Sequence, residues 1–243
     1  DPERARTLFK EIIHLYPDSV YSRRAKVGIG DAYFHQKDSA SLIMAASEYQ
    51  EFVSLYPNSP DAVYAKHQVA LCFDRQVRKP GRDQTQTFKA IEAHEAVVSM
   101  FPDTEEAQQS QQRIKELRLN LAEHFFRIGY YNYRFRAYKG AVNRFKQVMD
   151  EYPDFKSQDR LFYYTGASYL ALREYDTALS FFQRLVDEYP QSSLARKGRK
   201  MIQAMPRLRL EGEKYKQRLS RWEKKQQRLQ QKYASQEGEE KSG

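Results

Sequence analysis

The stretch Ala141-Val142-Asn143-Arg144-Phe145-Lys146-Gln147-Val148-Met149-Asp150-Glu151-Tyr152-Pro153 carries the pattern that decides the fold. An alanine stands twelve residues before the proline, an aromatic eight before it and an apolar residue five before it. The same offsets recur ahead of Pro17 (Ala5, Phe9, Ile12), Pro57 (Ala45, Tyr49, Phe52), Pro102 (Ala90, His94, Val97) and Pro190 (Ala178, Phe182, Leu185). Only His94 breaks the aromatic rule. Steps of four and three residues keep these side chains on one face of a 3.6-residue helix. Alanine admits a neighbouring helix closely and the aromatic fills the adjoining gap. The aromatic-proline pair then ends the helix, because proline lacks an amide donor and pushes its predecessor out of helical geometry. Asp18-Ser19, Asn58-Ser59, Asp103-Thr104 and Gln191-Ser192 follow four of the prolines and suit the start of a new helix.

Working outward, a partner helix shows itself after four of the prolines. Gly30, Ala70 and Gly166 come thirteen residues after a proline, and Tyr33, Phe73 and Tyr169 three later. Gly129 and Gly166 each stand twelve residues before a repeat alanine. A small residue in one helix followed by alanine, aromatic, apolar and proline in the next is the tetratricopeptide pattern. Such hairpins cannot bury their apolar faces alone and stack on their neighbours. The expected fold is all-α: a right-handed α-solenoid of about five tetratricopeptide-type helical hairpins, the first truncated, plus a long C-terminal helix.

Proline-to-proline spacings of 40, 45, 51 and 37 residues exceed the usual unit, which is about 34 residues long. Arg78-Lys79-Pro80-Gly81-Arg82-Asp83-Gln84-Thr85 reads as a loop inserted between paired helices, with Asp83 or Thr85 expected to cap the helix that follows. The fourth unit is expected to lengthen its first helix from Glu105 to Arg134. Only four residues precede Ala5, so the first helix of that repeat is expected to lie upstream, with any signal peptide or lipid-attachment cysteine.

Residues 1–205 are expected to form the repeat array, with repeat ends near 17, 57, 102, 153 and 190. Residues 206–243 are expected to form a basic amphipathic helix and a tail frayed from Ser235. This stretch holds 11 lysines and arginines against 6 acidic residues, in a chain of net charge +9. Leu208, Tyr215, Leu219, Trp222, Leu229 and Tyr233 form its apolar stripe, fit to cap the array or reach a partner. Interleaved glutamates argue for a solvated helix over a nucleic-acid arm, so no nucleic acid is expected as partner.

Nothing reads as an enzyme, and no cofactor or metal is expected. His14, His35, His67, His94 and His124 form no metal-ligand pair of the HExxH kind, and phosphate loops and nucleophile elbows are absent from the sequence. Cys72 lies in an apolar stretch and reads as a small buried hydrophobe. No apolar run is long enough to span a bilayer.

Two segments resemble the BamD family, the tetratricopeptide lipoproteins of the outer-membrane β-barrel assembly machinery. One is Arg82-Asp83-Gln84-Thr85, opening the second helix of a repeat after an inserted loop. The other runs from Leu121-Ala122-Glu123-His124 through Gly129-Tyr130-Tyr131 to Ala141-Val142-Asn143-Arg144-Phe145. The resemblance covers residues 3–190. It implies a lipid-anchored protein at the periplasmic face of the outer membrane, attached by an N-terminal lipid. It further implies binding to a BamA-like POTRA-domain barrel protein, to other assembly-machinery lipoproteins and to unfolded outer-membrane proteins. Under it, Asn143 and Arg144 become candidates for POTRA binding and Arg82 and Asp83 for a loop at a partner surface. Tyr33 and Tyr64 become candidates for the groove that takes a nascent strand.

Two other adaptor classes share the repeat. A co-chaperone clamp needs lysine and asparagine around the repeat glycine, where Val27 and Asp31 stand near Gly30. A Tol-Pal-associated cell-envelope adaptor is the alternative reading, which the segment upstream of Asp1 would separate best.

Overall fold

Each aromatic-proline pair ends a helix in the structure, a computed structural model that describes residues 1–240, with side chains through residue 230. Ten helices make up the described residues: α1 (Pro2–Leu15), α2 (Val20–Phe34), α3 (Ser39–Leu55), α4 (Asp61–Asp74), α5 (Thr85–Met100), α6 (Glu105–Arg134), α7 (Tyr138–Glu151), α8 (Gln158–Ala171), α9 (Tyr175–Glu188) and α10 (Ser193–Glu240). Tyr16, Tyr56, Phe101 and Tyr189 follow α1, α3, α5 and α9 with φ between −129° and −136°. That extended geometry is what the following proline demands. The next helix starts on a hydroxyl. Ser19 Oγ accepts from the Ser22 amide at 3.0 Å, Thr104 Oγ1 from Ala107 at 3.2 Å and Ser192 Oγ from Leu194 at 3.1 Å.

The chain divides into two compact units, described separately: residues 1–128 with 147–156, and residues 129–146 with 157 onward. In the first unit α1 to α5 pack in chain order, each on its neighbour. The core gathers Leu42, Ala45, Tyr49, Phe52, Val69 and Cys72 from successive helices. Tyr49 lies flat against Gly30, where a Cβ would stand 2.6 Å from the ring. In the second unit α8, α9 and α10 pack in order around Phe182, Tyr169, Ala178, Val142 and Met205. Gly129 meets Phe145 and Gly166 meets Phe182 as Gly30 meets Tyr49.

The turns inside the second, fourth and fifth repeats share a device. Lys37, Arg136 and Arg173 take a left-handed conformation, with φ of 65°, 62° and 66°. The third repeat replaces that turn with the segment from Arg75 to Gln84. Helix α6 runs from Glu105 to Arg134 without a break, as its lack of proline indicates. Helix α10 passes through Pro206 and continues to Glu240. Tyr233 and the tail expected to fray from Ser235 have side chains outside the described residues.

Candidate partner-binding surfaces

The inserted loop is held from within. Gln84 is buried, and its amide nitrogen donates to the Lys79 and Arg82 carbonyls at 2.9 and 3.0 Å. Its amide oxygen accepts from Thr87 Oγ1 at 2.7 Å and Asn120 Nδ2 at 3.0 Å. Helix α6 adds His124, whose Nδ1 donates to the Pro80 carbonyl at 2.6 Å, and Asn120, whose amide also reaches the Arg78 carbonyl. The loop is therefore preorganised, with Arg82 and Asp83 exposed at its surface. One expectation needs correction: neither Asp83 nor Thr85 caps α5 through its backbone. Gln84 holds the cap position, its side chain making no bond to the amides of the first turn, and the Asp83 carboxylate accepts from the Thr85 hydroxyl at 2.9 Å instead. The local pair satisfies both side chains.

Tyr33 and Tyr64 fare differently. Tyr33 packs half-buried against the core, with the Arg6 guanidinium 4.3 Å above its ring. Tyr64 stays exposed over its ring, but its hydroxyl donates to Asp31 Oδ1 at 2.8 Å. The same oxygen accepts from the Tyr49 hydroxyl at 2.6 Å. Burial, then the bond to Asp31, pushes both phenols above their ordinary range. Asp31 thus fixes an aromatic surface edge to the core. The sequence reading used Asp31 only to exclude a clamp and missed this role, because its partners lie 18 and 33 residues away.

Asn143 and Arg144 lie exposed on α7, between fully buried Ala141 and Phe145. Gly129 lets α7 approach: its missing Cβ would stand 2.6 Å from Phe145 and 3.3 Å from Arg144 Cβ. In the same unit Tyr130, Tyr133 and Tyr163 all meet the Tyr164 ring edge-on. Phe135 and Tyr131 are exposed nearby in sequence, at the end of α6.

Buried nucleophiles and bases are quiet. Burial pushes the Cys72 thiol up to about 12. Burial pulls His94 down to about 4, and lowers His67, whose ring lies 6.0 Å away. His94 Nδ1 pairs with Ser110 Oγ at 3.0 Å. Among the described residues no group of His, Cys, Asp and Glu could hold a metal ion.

Helical hairpins built on a small residue opposite an aromatic define a tetratricopeptide repeat protein. The tetratricopeptide repeat profile matches residues 160–192, and that of the outer membrane lipoprotein family YfiO matches residues 1–175. Two curated relatives bear the name Outer membrane protein assembly factor BamD. The Caulobacter vibrioides protein is 31% identical over 144 residues, 59% of this chain and 46% of the relative. The Rickettsia prowazekii protein is 28% identical over 182 residues, 68% of this chain and 72% of the relative. The chain belongs to this family of outer membrane lipoproteins, the BamD family. It spans a little under half the length of the Caulobacter protein. The yeast Sti1 TPR2AB-domain in its pHSP90 complex aligns over 84% of this chain and 92% of that one, at 9% identity. The TM-score of that alignment is 0.35.

Proposed function

We propose that this chain is a non-enzymatic scaffold in the assembly of outer-membrane β-barrel proteins. It would act at the periplasmic face of the membrane, held there by an N-terminal lipid. The observation that carries this reading is the family match across residues 1–175, with relatives named as assembly factors. In it, Asn143 and Arg144 bind the POTRA domains of the central barrel component. Their exposure on a helix whose inner face is fully buried supports that role. A guanidinium there could grip a carboxylate through two parallel hydrogen bonds, which lysine cannot match. Tyr64, anchored through Asp31, and Tyr33 contribute to a surface for the extended targeting strand of an unfolded barrel protein. The pinned loop offers Arg82 and Asp83 to a further partner such as another lipoprotein of the machinery.

The mechanism is preorganisation. Side chains already held by the fold lose little freedom on binding, so more of the contact energy appears as affinity. Two partners on one scaffold also meet at a raised effective concentration. In this reading residues 1–205 serve as the repeat array and residues 206–243 as a basic amphipathic helix and tail.

Titrating the purified chain with the POTRA array of its own organism's barrel component tests the proposal. Saturable binding with Kd on the order of micromolar is expected. Arg144→Glu should weaken it about tenfold with an unchanged circular dichroism spectrum, as for loss of one charged contact. A folded chain that does not bind removes the scaffold reading. Unchanged affinity in the folded variant removes the assignment of Arg144.

A further inference from the structure

Helix α10 changes character along its length. The first part of its apolar stripe is used inside its own unit. Leu208 is half-buried, Gly212 lies under the Tyr175 ring, and the Arg173 guanidinium sits 3.8 Å over the Tyr215 ring. Arg209 pairs with Asp176 of α9. Tyr215 is already 44% exposed, and beyond it the stripe continues on the surface: Leu219 is 41% exposed, Trp222 58% and Leu229 39%.

The positions 208, 212, 215, 219, 222, 226 and 229 alternate steps of four and three. That is a heptad seam, with Gln226 as its single polar member in the uncovered part. A strict seam of this kind is narrower than the broad apolar face with which a helix lies in a lipid surface. The flanking charge is mainly basic. Residues 216–230 hold Lys216, Arg218, Arg221, Lys224, Lys225 and Arg228 against Glu223 alone. Arg218 and Lys225 occupy the same flank, directly beside the seam. A second copy of this segment would carry the same excess of positive charge, which disfavours self-pairing.

We propose that residues 216–230 dock an acidic amphipathic helix of another protein, forming a short coiled coil across Leu219, Trp222, Gln226 and Leu229. The apolar seam supplies the packing and Gln226 restricts the register, as a polar seam residue does in coiled coils. The basic flanks select a partner with glutamate or aspartate at its own flanking positions and speed its encounter. This inference stands apart from the proposed function: it uses no residue assigned to POTRA or strand binding.

Trp222 is the only tryptophan in the chain, so its fluorescence reports the seam directly. The probe is a synthetic heptad peptide with leucine at its core positions and glutamate on both flanks, added to the full chain. Saturable binding with a blue shift of Trp222 emission is expected. It should weaken roughly tenfold when the peptide's glutamates become lysines. A Leu219→Glu/Leu229→Glu chain should not bind; both residues are exposed, so its circular dichroism should be unchanged. No shift with the glutamate peptide overturns the proposal, as does equal binding of the lysine peptide. A shift only with mixed phosphatidylcholine–phosphatidylglycerol vesicles overturns it in favour of a lipid surface. Concentration-dependent self-association with the same shift overturns it in favour of a second copy.

Discussion

The second and third repeats solve one packing problem with different pairs of residues. In the second, Gly30 faces Tyr49, and the aromatic ring takes the space that a Cβ would need. In the third, the same two places hold Ala70 and His94, both fully buried. One side gains a methyl group while the other gives up ring size, so the volume is conserved. The fourth and fifth repeats follow the second, with Gly129 opposite Phe145 and Gly166 opposite Phe182. The exchange has a polar consequence. An imidazole in that site needs a partner, and Ser110 on the following helix provides one for Nδ1. Nε2 has none. The repeat therefore tolerates its odd member, at the cost of a buried base.

Truncating the large residue should have the greater effect. Tyr49→Ala removes a fully buried aromatic together with the hydroxyl that holds Asp31, and should destabilise by about 4 kcal/mol. His94→Ala removes a smaller ring and an incompletely satisfied polar group, and should cost about half as much. Urea unfolding of both variants measures the difference. Equal losses would mean that the two repeats pack alike after all.

Acid should separate the repeats next. Burial, the largest cause, holds folded His94 down at about 4, while an unfolded histidine titrates near its ordinary value, about 6.5. Asp74 opposes that shift, and His67 and Arg113 reinforce it. Between those values the unfolded chain binds a proton that the folded chain refuses. The stabilising contribution is thus fully present above the unfolded value and falls away as pH drops towards 4, by roughly 2–3 kcal/mol. The companion exchange Ala70→Gly/His94→Phe rebuilds the pair of the other repeats, and Ser110 can then bond a carbonyl of its own helix. Stability measured from pH 7 to 4 should fall less in this double variant than in the parent. Identical profiles would show that other groups govern the acid response.

This contrast also shows what was legible in the amino-acid order. Alanine, aromatic and proline at fixed offsets announce helix ends and the inner face, because helical periodicity relates near neighbours. All four repeats from the second onward place those residues where the pattern requires. The break at His94 was visible as a missing aromatic, but its Ser110 partner was not. Nor was the carboxylate that Tyr49 and Tyr64 share, or the hold of Gln84 on its loop. Those bonds join residues on different helices, and their register depends on how the helices cross, which no local period records. The expected cap at Asp83 failed for a related reason. A hydroxyl two residues on competed for the carboxylate, and buried Gln84 took over the organisation of the loop.

The turns of the two repeats differ as their cores do, and here the smallest effect is expected. Lys37 turns the second repeat in a left-handed conformation, with φ 65°, that disfavours any residue with a Cβ. Glycine would relieve that strain but would bring more freedom to the unfolded chain. The net gain from Lys37→Gly should be about 0.5 kcal/mol. The third repeat avoids the left-handed residue by using a longer segment, and Gly81 within it has no positive φ. A Cβ there would meet only the flexible tip of Arg127, at 3.2 Å. Gly81→Ala should therefore stabilise by a similar amount, through the unfolded state alone. Opposite substitutions with the same sign would establish that one turn stores backbone strain and the other does not. A loss in Lys37→Gly, read from the urea midpoint at constant slope, would instead locate the benefit in the lysine side chain.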